Sequence, residues 1–79
     1  MKSELSSLMN RLHTTEMGEA RIRTNLQLGN QDPVKHCREV IAAQDTEITR
    51  RGKNWYCENA REIITVNAAS LTIISAHLK

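Results

Sequence analysis

Apolar residues recur at helical spacing through the first half of the chain and at a spacing of two from Thr46 onward. Leu5, Leu8, Met9 and Leu12 stand at i, i+3, i+4 and i+7 behind Ser3, whose hydroxyl can accept the first free backbone N–H groups. A first helix is therefore expected from about Glu4 to Leu12. His13-Thr14-Thr15-Glu16 breaks that pattern and restarts it, because a threonine hydroxyl caps a helix start and Glu16 and Glu19 fall where the positive helix end favours carboxylates. Met17, Arg21, Ile22, Asn25 and Leu26 share one side of this second helix. Gly18 lies there too, at a cost of about 1 kcal/mol relative to alanine, which predicts close packing against the first helix. Leu28-Gly29-Asn30-Gln31 reads as a helix stop, and Asp32-Pro33 as the start of a third helix with Val34, Cys37, Val40 and Ile41 as its buried stripe and His36 at the stripe's edge.

A two-residue turn at Gly52-Lys53, with glycine in the first central position, sets Arg51 opposite Asn54, Arg50 opposite Trp55, Thr49 opposite Tyr56 and Ile48 opposite Cys57. One face of that hairpin then carries Ile48, Cys57 and Trp55, with Arg50 along the indole. The other carries Thr49, Arg51, Asn54 and Tyr56. Asn59-Ala60 supplies a short turn, and a second hairpin around Ala68-Ala69 joins Ile63–Asn67 to Leu71–His77. Pairing Val66 with Leu71 would place Ile64 opposite Ile73 and leave Thr65, Asn67 and Thr72 on the reverse beside Ile63 and Ile74. The expected class is α+β: three N-terminal helices packed on one face of a four-stranded antiparallel sheet. We expect one domain over residues 1–79, helical to about 44 and sheet from about 46 to 78.

Length and charge narrow the partners more than the fold. A chain of 79 residues buries only roughly 60% of its unfolded surface, so a homodimer would add needed support. The formal charge of +2 and pI of about 8.8 allow a nucleic-acid partner without demanding one, and argue against an acidic mimic of nucleic acid. No stretch has the length and apolarity of a membrane span, and Met1-Lys2-Ser3-Glu4 lacks the apolar run of a signal peptide, so no membrane partner and a cytoplasmic location are expected. Cys37 and Cys57 form no Cys-x-x-Cys pair and read as small core hydrophobes.

Several motifs together resemble a small bacterial family catalogued as domain of unknown function 3781. They are Leu12-His13-Thr14-Thr15-Glu16 with Gly18, Arg21-Ile22 and Asn25-Leu26; Gly52-Lys53-Asn54-Trp55-Tyr56; and Ile63-Ile64-Thr65-Val66-Asn67-Ala68 leading to Thr72-Ile73-Ile74 and Ala76-His77. The resemblance runs from about Leu12 to His77 and implies no particular activity. Ala69 and Leu71 depart from it, standing where larger polar or aromatic side chains are expected. The inferred architecture is also similar to small ribonuclease toxins of the RelE and colicin type, a likeness of fold that does not transfer function.

The outward sheet face would gather Arg51, Asn54, Tyr56, Asn67 and Thr72, with Thr65 among them and Lys53 on the turn. Cations can hold phosphates, Tyr56 can stack on a base, and the amides can read base edges, as in recognition of single-stranded RNA. A plain solvated sheet face explains the same pattern. His77, with Ser75 two residues before it, is the candidate acid or base of a ribonuclease, served by Arg51 or Arg50. A terminal histidine at a sheet edge is the plainer alternative. No ligand pair among His13, His36, Cys37, Cys57 and His77 has the spacing of a zinc site, and no phosphate loop, nucleophile elbow or carboxylate pair is present, so neither a metal nor a cofactor is expected. The leading expectation is a non-catalytic interaction protein that binds a protein or nucleoprotein complex, as phage and mobile-element inhibitors of the anti-CRISPR kind do. The alternative is an RNA-binding protein or ribonuclease toxin with His77 as acid and base.

Overall fold

Both helices begin at side chains that the chain places just ahead of them. In the computed structural model, which describes residues 9–79, α1 spans Glu16–Asn25 and α2 spans Pro33–Ala42. Thr15 Oγ1 accepts from Gly18 N–H at 3.0 Å, and Asp32 Oδ1 accepts from Val34 N–H and Lys35 N–H at 3.0 and 3.2 Å, with Pro33 in the first helical turn. The end of α1 comes earlier than the Leu28-Gly29 stop. Gln27 takes the left-handed conformation at φ 57°, and Leu28 N–H reaches back to Arg23 O at 2.9 Å while Gln27 N–H bonds Thr24 O at 3.3 Å. This is the paired closure of a Schellman motif, completed by burial of Leu28.

Strands β1 (Glu47–Arg51), β2 (Asn54–Glu58), β3 (Glu62–Asn67) and β4 (Ile73–Leu78) form one antiparallel sheet in the order β1-β2-β3-β4. The class is α+β, as the periodicities imply. Among the described residues there are two α-helices, not three. Most of the helix expected over Glu4–Leu12 lies outside the described residues, and its described end is a 3-10 turn over residues 9–11. Helical backbone cannot continue there because His13 is drawn into extended pairing beside Thr72. His13 N–H donates to Leu71 O at 3.2 Å, and Ile73 N–H donates to His13 O at 2.8 Å.

The first hairpin has the expected register, from Arg51 opposite Asn54 to Ile48 opposite Cys57, with Gly52 at φ +58° in the turn. The second hairpin differs. Asn67 Oδ1 accepts from Ala69 N–H and Ser70 N–H, both at 2.9 Å, and Leu71 N–H bonds Asn67 O at 2.8 Å, which lengthens the loop and places Leu71 at φ 62°. Val66 therefore faces Ile73 rather than Leu71. Ile74 then bulges out, so Thr65 faces Ser75 and Ile64 faces Ala76 instead of Ile73.

The core lies between the helices and the inward face of the sheet. Ile22 from α1, Leu26 at its C-cap, and Cys37, Val40 and Ile41 from α2 cover Trp55, Cys57, Ile64, Val66, Ile73 and Ala76, with Leu12, Leu28 and Leu71 closing the ends. Met17, expected on the packed side of its helix, is 68% exposed. It stands five residues from Ile22, about 140° round the helix. Gly18 owes its missing side chain to Thr14 rather than to another helix, since a Cβ there would lie 2.1 Å from Thr14 Oγ1.

Candidate functional site

Cross-strand pairing gathers the hairpin cations at one end of the sheet. Arg51 faces Asn54, and Asn54 faces Asn67, so these three residues form one row across β1, β2 and β3. The two turns beyond that row are fastened together, with Ala68 N–H donating to Lys53 O at 2.8 Å. Between them lies an open depression of about 250 Å³ lined by Arg50, Gly52, Lys53, Asn67, Ala68 and Ala69. The Arg50 guanidinium donates through Nε to Gly52 O at 2.9 Å and stands 5.3 Å from the centre of the Trp55 ring. Arg51 lies 6.0 Å from the centre of the Tyr56 ring.

The carboxylates of the sheet sit elsewhere. Glu47, Glu58 and Glu62 occupy the opposite strand ends, and Asp45 and Glu47 line a depression there with Glu58 and Lys79. The two ion pairs among the described residues are Lys79–Glu58 at 2.7 Å and His36–Glu62 at 2.8 Å. Arg50, Arg51 and Lys53 thus face no described carboxylate, and opposite charges are separated by about four residues along the strands, roughly 13 Å. An end with exposed cations and no counter-charge among the described residues favours an external anion.

The remaining candidate residues divide into presented and committed side chains. Tyr56 is half-buried on the outward face, its hydroxyl 3.5 Å from Asn54 Nδ2, and Asn54 Oδ1 is buried with no hydrogen-bond partner among the described residues. Asn67 is committed: its side-chain oxygen holds the loop N–H groups and also accepts from Ser70 Oγ at 3.2 Å. Thr72 Oγ1 is shared between Ser70 Oγ at 2.8 Å and His13 Nε2 at 3.1 Å. Thr65, expected on a wet face, is buried.

His13, which the sequence offers only as an isolated metal-ligand type, stands against Thr72. Its Nδ1 lies 2.9 Å from Arg11 O, an arrangement that places the proton on Nδ1 and leaves Nε2 to accept from the Thr72 hydroxyl. Its partner is 59 residues away, so no local signal in the sequence could have found it. His77 faces Ile63 at the other end of the sheet. Four rows and three strands separate it from Arg51, roughly 19 Å, and the proposed pairing of His77 with Arg51 or Arg50 is not assembled.

The buried titratable groups serve packing. Glu62 is buried, accepts at Oε2 from His36 and is 3.4 Å from Asn59 Nδ2 through Oε1, tying α2 to β3. Burial, then the nearby charges of Glu62 and Cys57, push the Cys37 thiol up to about 12, which removes it as a nucleophile at neutral pH. Among the described residues no three His, Cys, Asp or Glu side chains gather as a metal-binding group, and no helix is long and apolar enough to cross a membrane.

A family model described as a protein of unknown function (DUF3781) matches residues 6–77, nearly the whole chain. No curated protein and no solved structure is a significant match.

Proposed function

The chain belongs to the DUF3781 family, and we propose that it is a non-catalytic, cytoplasmic binding module that engages a nucleoprotein complex by gripping phosphate at the cationic end of its sheet. A small phage or mobile-element inhibitor of the anti-CRISPR kind would act in this way. The observation that carries the reading is the separation of charge along the strands: Arg50 and Lys53 line a depression at one end of the sheet and Arg51 stands on the outward face of the same strand end, with no ion pair to a described carboxylate. Tyr56 beside Arg51 adds an aromatic surface on which a base can stack. Arg51 and Lys53, with no ion-pair partner among the described residues, keep their donors for phosphate oxygens, the contacts that supply most sequence-independent affinity.

Anisotropy of a labelled single-stranded RNA, titrated at several salt concentrations, tests this reading. Arg51→Ala with Lys53→Ala should weaken binding by at least about 2 kcal/mol, flatten the salt dependence, and change folding stability by no more than about 0.5 kcal/mol. The RNA should stay intact throughout. Absence of salt-sensitive binding would refute the phosphate grip, and cleavage that His77→Ala abolishes would favour the ribonuclease reading.

A further inference from the structure

The sheet has two edges, and the described residues close one of them. On β4, Ile73 N–H is taken by His13 O, Thr14 Oγ1 donates to Ile73 O at 3.1 Å, and Asn25 Nδ2 donates to Ala76 O at 3.1 Å. At the other edge, among the described residues, β1 pairs with β2 alone. The two-residue turn sets which groups are left over. Arg51, Thr49 and Glu47 exchange their backbone bonds with β2, so the N–H and C=O groups of Ile48 and Arg50 point away from the sheet. The strand runs through five paired residues with no bulge and no proline, the devices that usually blunt such an edge.

Charge is the remaining safeguard of an edge strand, and on β1 it is self-complementary. Glu47, Thr49 and Arg51 share the outward face, with Glu47 at one end and Arg51 at the other. Glu47 stands directly opposite Glu58, an unfavourable pairing of like charges, and Lys79 compensates Glu58 alone. Arg51 has no described carboxylate partner. Each end of the strand therefore holds a charge with no ion-pair partner among the described residues, and the two are of opposite sign.

We propose that β1 is the seam of a homodimer in which two copies pair antiparallel about Thr49, joining their sheets edge to edge. This register lets Ile48 of each copy exchange backbone hydrogen bonds with Arg50 of the other, and it sets Glu47 of each copy against Arg51 of the other. The neighbouring registers that keep the same bonding pattern do worse. Centring on Arg50 sets the two Arg50 side chains against each other, and centring on Ile48 sets Glu47 against Thr49. On the inward face, half-buried Ile48 gains cover from the stem of Arg50 of the second copy. Lys53, on the turn, lies outside the seam.

Sedimentation equilibrium of the unmodified protein and of charge-swapped variants decides the matter. The unmodified protein should be a dimer, and Glu47→Lys or Arg51→Glu should each weaken association by about tenfold, the effect of losing two exposed ion pairs to like charges. The double variant Glu47→Lys with Arg51→Glu should restore it, since each lysine then meets a glutamate. All three variants should keep the parent circular dichroism spectrum, because both side chains are exposed. A monomeric parent, a dimer indifferent to the single swaps, or a double variant that fails to recover would each overturn the seam. Lys53→Ala leaves the seam untouched and so separates this test from that of phosphate binding.

Discussion

Replacing Trp55 by alanine should remove a large part of the stability of the domain. The indole is 7% exposed and stands in the inward row formed by Arg50, Val66 and Ile73. A tryptophan hides about 200 Å² on burial, which at about 25 cal/mol per Å² amounts to about 5 kcal/mol. The unfolded chain already shields roughly a quarter of that area, and alanine keeps its own methyl group, so about 3 kcal/mol remains. The cavity left behind and the lost contact with Arg50 raise the expected cost to about 3 to 5 kcal/mol. A domain of this length holds about 4 to 12 kcal/mol in all, so the substitution brings it close to unfolding. Urea titration followed by far-ultraviolet circular dichroism measures the loss without relying on the tryptophan signal. Arg50→Ala is the control and should cost about 1 kcal/mol or less, the value of one exposed cation over a ring. A Trp55→Ala variant within about 1 kcal/mol of the parent would show that the ring is not part of the core.

Gln27→Gly should stabilise the protein by about 1 kcal/mol, because glycine takes the left-handed conformation that costs glutamine strain at the end of α1; thermal unfolding should shift upward by about 5 °C, and a downward shift would refute the account. Cys37 links stability to alkaline pH. Its folded thiol titrates at about 12 against an ordinary 9.0, so above pH 9 the unfolded chain loses a proton that the folded chain keeps, and stability falls as pH rises through that window. The urea midpoint should therefore drop more steeply between those values in the parent than in Cys37→Ala, and parallel slopes would count against it.

The candidate site was legible in the sequence where one short segment builds it. Arg51, Lys53 and Tyr56 lie within a single hairpin, so a turn of known length predicts which of them share a face. His13 and Thr72 were not legible together, because their contact depends on the end of the chain before α1 running alongside β4. His77 looked promising by residue type alone, and only the order of the strands separates it from the cations. Asn67 looked like a surface amide, yet its oxygen is used by the loop that it begins.

By itself the sequence determined the helix starts within Thr14-Thr15 and at Asp32, the turn at Gly52-Lys53 and the register that follows from it, and the inward position of Trp55. Each of these depends on a few consecutive residues: a cap accepts from N–H groups two or three positions ahead, and a two-residue turn leaves its flanking strands no choice of partner. Tertiary structure alone decided the shifted register of β3 and β4, the bulge at Ile74, the left-handed Leu71, the tie between His36 and Glu62, and the separation of His77 from the cations. Those features arise where residues far apart in the chain compete for the same space and the same hydrogen bonds, and local preference carries no information about which competitor wins.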